Sequence, residues 1–239
     1  MDQFQRTELI IGKDAVEKLK SKHVAIFGLG GVGGFVCEAL VRVGIGEFDL
    51  IDKDVVDVTN INRQLIALHS SVGEDKVKVM KDRMIDINPD VKVTIHKKFF
   101  LADSANEFPF EKYDYIIDAI DTISAKIELV KIAHEKNIPI VSAMGAGNKI
   151  SASRLKIADI FDTKVCPVAK IMRNELKKLG IKHLRVVYSE EEPLKIDCKN
   201  GEDSQNNRNK IVGSISYVPA VAGLLMAQVV VKDLLEIKS

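Results

Sequence analysis

The apolar positions of this chain fall into short continuous runs separated by longer amphipathic stretches. Residues 23–27 (HVAIF), 48–51 (FDLI), 113–119 and 139–143 are compact runs bounded by Gly, Asp, Asn or Pro, the pattern of strands buried on both faces. Residues 91–95 alternate apolar and polar, as a half-buried strand does. Between them, 33–43, 74–87 and 124–137 carry helical periodicity, and Asn88-Pro89 closes the second of these. The spacing also predicts one helix over 7–20, with Thr7 or Asp14 as its cap.

The final third changes rhythm. Strands are expected at 154–160 and 184–188, flanking a basic helix over about 167–180. A stretch at 190–209 holds three adjacent acids (190–192) and the polar run 203–209, and reads as a loop that orders on a partner. An apolar helix follows at 217–237. The uncharged window 211–231 contains Gly213, Ser214, Ser216, Pro219, Gly223 and Gln228, so it reads as a buried core helix and no stable membrane insertion is expected. Strands alternating with helices of these lengths imply βαβ units. The expected fold is α/β, a doubly wound, Rossmann-like, mainly parallel sheet with a C-terminal α/β extension.

Composition narrows the function classes. With 35 Lys plus Arg against 34 Asp plus Glu, the net charge of +1 excludes a protein that coats nucleic acid by bulk charge, though not a local basic patch. Cys37, Cys166 and Cys198 lie far apart with no CxxC, against a disulfide framework or structural zinc and in favour of a reducing, cytoplasmic setting. Cys37 reads as a packing residue, and Cys166 and Cys198 as bystander thiols or carriers of a thioester or persulfide. His69 and His134 read as a loop and a helix-surface residue.

The first chemical signal is Gly28-Leu29-Gly30-Gly31-Val32-Gly33, a GxGxxG placed after a strand and at a helix start. Its glycines permit a tight turn and bring helix N-terminal amides up to a phosphate, while Asp52 ends the next strand where a carboxylate meets ribose. Alone this pair leaves NAD as the default, and with it an oxidoreductase or redox sensor. The stretch 52–64, DKDVVDVTNINRQ, points elsewhere. A second acid, an amide and a guanidinium suit an enzyme that splits ATP between its α and β phosphates and must neutralise the departing pyrophosphate. Arg63 and Lys76 are candidates for that clamp, and Asp121, at a strand's carboxyl end, for a metal ligand.

These residues resemble the ThiF/MoeB/HesA group, bacterial relatives of ubiquitin-activating enzymes. The matching pieces are FQR at 4–6, GLGGVG at 28–33, DKDVVDVTNINRQ at 52–64, the region from Lys76 to Pro89, and DAIDTISAK at 118–126. The resemblance implies an ATP-binding adenylation domain with its N-terminal helix over 1–160, and a C-terminal extension over 161–239 that shapes the acceptor site and dimer, the two forming one continuous unit. It assigns Gly28, Gly30, Gly31, Gly33, Asp52, Asp54, Asn60, Arg63, Gln64, Lys76 and Asp121 to ATP, with Mg²⁺ on Asp121. Arg6 would reach into the partner's site, which implies a homodimer.

Within the group, Ile117–Asp121 with Lys126, Gly145-Ala146-Gly147, and Pro167–Lys170 with Arg173 and Leu176 resemble the branch that dehydrates threonylcarbamoyladenosine in tRNA. That branch, like this chain, lacks the zinc CxxC pairs of the sulfur-carrier activators. The reaction implied is adenylation of the threonyl carboxylate followed by ring closure. Two positions depart from the pattern: Asn148-Lys149 stands where Gly-Gln is common, and Cys166 where Asp is. Both lie toward the substrate side. The resemblance leaves room for a monovalent cation (Na⁺ or K⁺) and for a sulfur-transfer partner. The rival activity in the same group is adenylation of a ubiquitin-like sulfur carrier's C-terminus. For tRNA, Lys170, Arg173 and Lys177 share one helical face, and Arg208 and Lys210 border the polar loop.

Overall fold

A computed structural model describes residues 2–195 and 212–237. Most of the expected loop at 190–209, with Cys198, Arg208 and Lys210, lies outside the described residues. Seven strands form one sheet: β1 (His23–Phe27), β2 (Glu47–Ile51), β3 (Lys92–His96), β4 (Tyr115–Asp118), β5 (Ile140–Ala143), β6 (Leu155–Asp159) and β7 (Arg185–Ser189). Their spatial order is β3-β2-β1-β4-β5-β7-β6. All pairings are parallel except β6 with β7, which run antiparallel at one edge. The order reverses beside β1, between the crossovers through α3 (Gly33–Val43) and α4 (Lys76–Ile87) on one side and α5 (Ile123–Glu135) on the other. That is the switch point where open α/β sheets hold ligands at their carboxyl ends.

Alternation along the central strands divides the core. Val24, Ile26, Leu50 and Ile117 face a layer that includes α3 and the long helix α7 (Tyr217–Leu234). Ala25, Phe27, Ile51 and Ile116 face α5 and the Phe100, Phe108 and Phe110 cluster. The helix α6 (Pro167–Lys178) packs farther along, against Val186 and Tyr188 of β7. The C-terminal third therefore shares the sheet and core of the rest: β7 sits between β5 and β6, and α7 packs on α3. α7 is long and apolar enough by composition to span a bilayer, yet nine of its residues are buried in the protein. Fully burying side chains such as Met226 and Val230 contributes about 1.5–3 kcal/mol each, the behaviour of a core helix.

One sequence expectation is corrected. The single helix over 7–20 is two, α1 (Gln5–Ile11) and α2 (Lys13–Lys20). Gly12 between them has φ +90°, a left-handed conformation that stops α1 with a bond from its amide to the Glu8 carbonyl. Thr7 lies inside α1 and Asp14 in the first turn of α2.

Candidate active site

A cleft of about 710 Å³ opens at the carboxyl ends of the strands. Its floor is the turn after β1. Gly28 has φ +93°, and a Cβ there would lie 2.7 Å from the Ala119 carbonyl oxygen. Gly33 does not line the cleft. A Cβ on it would stand 1.8 Å from the Gly28 carbonyl oxygen, so its glycine lets α3 start directly behind the turn. Asp52 locks this geometry: one carboxylate oxygen accepts from the Leu29 amide at 2.7 Å and the other from the Asp54 amide at 2.8 Å.

The charges expected around the phosphates converge on the same cleft. Gly30, Gly31, Asp52, Asp54, Asn60 and Arg63 line it, as do Gln64, Lys76 and Asp121. Lys76 opens α4 and is buried, and its ammonium donates to Asp54 at 3.0 Å. Asn60 is held by a capping box with Asp57. The Arg63 guanidinium donates to the Thr59 carbonyl and to Asn62 Oδ1, both at 2.9 Å, and the residue is half-buried. Gln64 is nearly buried, and its Oε1 has no partner among the described residues. Asp121 is exposed on the turn after β4 and, among the described residues, accepts only a 3.3 Å bond from Thr122.

Other expected residues lie elsewhere. Arg6 is exposed on α1 and does not line its own chain's cleft. Lys170 and Lys177 are exposed on α6. Arg173, their expected companion, is half-buried and donates to Thr163, through its carbonyl oxygen at 3.0 Å and its hydroxyl. The basic face of α6 is therefore narrower than its spacing suggests.

Some cleft residues had no assigned role from sequence. Lys126 is buried beneath the cleft, 2.9 Å from the fully buried Asp118 carboxylate, and donates to the Ile120 carbonyl at 3.0 Å. Asp118 also accepts from Ser142 and from the Ile120 amide, so Ile120 is held on both sides and Asp121 is presented next to it. The available signal was an aspartate ending an otherwise apolar strand, since a buried carboxylate requires a cation. Lys53 and Phe99 stack at the mouth, ammonium to ring centroid 4.5 Å. Beyond them the cleft runs on to the turn Gly145-Ala146-Gly147, with Val168 of α6 and Val212 and Ser214 ahead of α7. The two departing positions, Lys149 and Cys166, are both buried and line no part of the cleft.

A glycine turn at the switch point, a ribose-position acid, and Arg, Lys and Asp around one open volume define a nucleotide-binding α/β protein equipped for phosphate chemistry. The chain belongs to the ThiF family, which it matches over residues 4–239. It is 46% identical to the tRNA threonylcarbamoyladenosine dehydratase of Bacillus subtilis (strain 168), over 99% of this chain and 96% of that protein. The Escherichia coli (strain K12) protein of the same name is 36% identical over 82% of this chain and 71% of its own length. Crystal structures of the E. coli enzyme, TcdA, in complex with AMP and with ATP superpose with TM-scores of 0.88 and 0.87 at 31% identity, covering 98% of this chain and 94% of theirs. Family membership displaces the NAD reading that the glycine turn and Asp52 leave open on their own.

Proposed function

We propose that this chain is an ATP-dependent adenylating enzyme that dehydrates threonylcarbamoyladenosine in tRNA, releasing AMP and pyrophosphate. The observation that carries this reading is the continuity of the cleft, from the glycine turn through Arg63, Lys76 and Asp121 to the Gly145–Gly147 turn. One volume holds a nucleotide and an acceptor end to end. The threonyl carboxylate attacks the α-phosphorus and pyrophosphate leaves. An atom of the same threonylcarbamoyl group then displaces AMP from the acyl-adenylate, closing a ring with net loss of water. Arg63 and Lys76 lower charge repulsion at the phosphates during the first step. Lys76 would exchange Asp54 for a phosphate oxygen. The second step needs no enzyme nucleophile, because the attacking atom is already tethered.

Mg²⁺ fits the donor set. Asp121 faces the cleft with no cation paired to it among the described residues, and Mg²⁺ is commonly held by one or two carboxylates plus phosphate oxygens. Bound there, it would neutralise charge on the phosphates. A homodimer is supported by α1, where Leu9 and Ile10 are 84% and 85% exposed in the helix that carries Arg6. Docking that face on a second copy would bury it and carry Arg6 toward the other cleft. With tRNA as substrate and free thiols in the chain, the setting is the cytoplasm.

The test is mass spectrometry of nucleosides from tRNA treated with the protein and ATP·Mg²⁺, handled mildly because a cyclised product hydrolyses. Loss of one water from threonylcarbamoyladenosine, with AMP released and only when ATP is present, is the expected result. Unchanged nucleosides alongside active pyrophosphate exchange would refute it and point to a carrier-protein carboxylate.

A further inference from the structure

We infer that Val168 and Val212, packed on the Gly145-Ala146-Gly147 turn, form an aliphatic subsite that reads the side-chain methyl of the acceptor's amino acid. Naming this occupant rests on the proposed function.

The cleft changes character along its length. Every lining side chain from Asp52 to Lys76 is polar or charged. From Ala143 to Gly147, and at Val168 and Val212, the lining side chains carry no charge and no hydrogen-bond donor. Aromatic rings are placed at the other end. Phe27 directly precedes the glycine turn, Phe100 lies against it with ring centroids 5.1 Å apart, and Phe99 stacks on Lys53. A nucleobase therefore finds its stacking surfaces near the glycine turn, whereas the acceptor end suits a small aliphatic group.

Two glycines bring the valines onto the turn. A Cβ on Gly147 would stand 2.2 Å from Val212 Cγ1, and one on Gly145 would stand 3.1 Å from Val168 Cγ2. Each valine thus packs directly on backbone that carries no side chain. Both are anchored from behind. The Gly213 amide donates to Asn148 Oδ1 at 2.6 Å and its carbonyl accepts from the Asn148 amide at 2.7 Å, which holds Val212 beside the turn. Ala169 and Met172 bury the next part of α6 in the core. Val168 is half-buried and Val212 is 64% exposed, so apolar surface remains for a ligand to cover.

This wall is joined to the phosphate clamp. Asn62 Nδ2 donates to the Ser214 carbonyl at 3.0 Å, while Asn62 Oδ1 accepts from the Arg63 guanidinium at 2.9 Å. A Cβ on Gly31 would lie 3.2 Å from Pro219 Cβ, so the segment from Val212 to Pro219 runs from the valines to the glycine turn. An amino acid whose carboxylate reacts beside Arg63 carries its side chain just beyond the α-carbon, toward this wall. The threonyl side chain bears a hydroxyl and a methyl. The methyl is the group these side chains can bind, since a hydroxyl would find no partner among them.

The test compares kcat/KM, read as AMP release, for anticodon stem-loop RNAs carrying threonyl-, seryl- or valylcarbamoyladenosine. The seryl group lacks the methyl, and the valyl group keeps it while replacing the hydroxyl. The wild-type chain should favour threonyl over seryl by about tenfold and accept valyl within about threefold of threonyl. Val168→Ala should shrink the threonyl-to-seryl ratio to about threefold or less, with KM for ATP unmoved. Val212→Ala should do the same at a mostly exposed residue, which keeps the test open if the first variant folds poorly. Equal kcat/KM for threonyl and seryl in the wild type, or a ratio unchanged in both variants, overturns the subsite. So does a preference for seryl over valyl, which would make the hydroxyl the group that is read. Failure of all three RNAs to release AMP, with pyrophosphate exchange active, would instead overturn the proposed function and the occupant named from it.

Discussion

At the nucleotide end of the cleft the principal carboxylates are already occupied: Asp52 by two backbone amides and Asp54 by Lys76. At the acceptor end the lining side chains from Ala143 to Gly147, and at Val168 and Val212, carry no charge. The first arrangement is preorganised, so that a nucleotide phosphate would exchange one set of charge contacts for another at little reorganisation cost. The contrast separates binding from selection. The nucleotide end suits every reaction that begins with an adenylate, whereas the acceptor end is where this chain can differ from its relatives.

Variants can break that contrast in graded steps. The largest effect is expected from Arg63→Ala or Asp121→Ala, which should lower AMP formation by roughly 10²–10³-fold while circular dichroism and Tm stay near wild type. Asp121 is exposed and Arg63 half-buried, and neither belongs to the buried core, so little packing is lost. Near-normal turnover in both would move the phosphate site elsewhere. Next is Lys126→Met, which leaves Asp118 buried without its cation and should cost about 3–5 kcal/mol in denaturant unfolding. A stability within error of wild type would show that Asp118 takes its proton without penalty.

A third effect is pH-dependent and lies away from the cleft. Asp49 is buried, which alone would raise its pKa, but hydrogen bonds from His23, His96 and Tyr113 overcome this and hold it well below the usual carboxylate range. A folded pKa below the unfolded value gives stability that is present above about pH 4 and lost as pH falls toward the folded value. Unfolding free energy should therefore decline on acidification below about pH 4–5, and less steeply in Asp49→Asn. Parallel pH profiles for the two proteins would refute this. The smallest effect is expected from Lys170→Ala with Lys177→Ala. Binding of RNA should weaken a few-fold, and the slope of log affinity against log salt should fall by about one per lost phosphate contact. Arg173→Ala should instead reduce stability by about 1 kcal/mol, through its lost bonds to Thr163.

Legibility followed how the chemistry is spread along the chain. Residues 52–64 carry Asp52, Asp54, Asn60, Arg63 and Gln64 in one stretch, so they could be grouped before any contact was known, and all five line one cleft. The central strands β1, β2, β4 and β5 were equally clear, because burial on both faces writes continuous apolar runs. The break at Gly12 was less so, since a lone glycine is tolerated inside a helical pattern and only its φ of +90° shows that the helix stops. Arg173 kept its helical spacing but lost its exposure to Thr163, a partner ten residues earlier.

The sequence by itself determined the layered α/β fold, the switch-point glycine turn and the grouping of polar residues at 52–64, because each depends on local periodicity or on residues within a dozen positions. Tertiary structure alone decided the acceptor end. Gly145, Gly147, Val168 and Val212 come together only because β7 inserts between β5 and β6 and α7 packs back on α3. Burial and the supply of hydrogen-bond partners are properties of that assembly. Lys149, which would be an ordinary solvated charge on an exposed turn, is enclosed as an ammonium without an acceptor among the described residues.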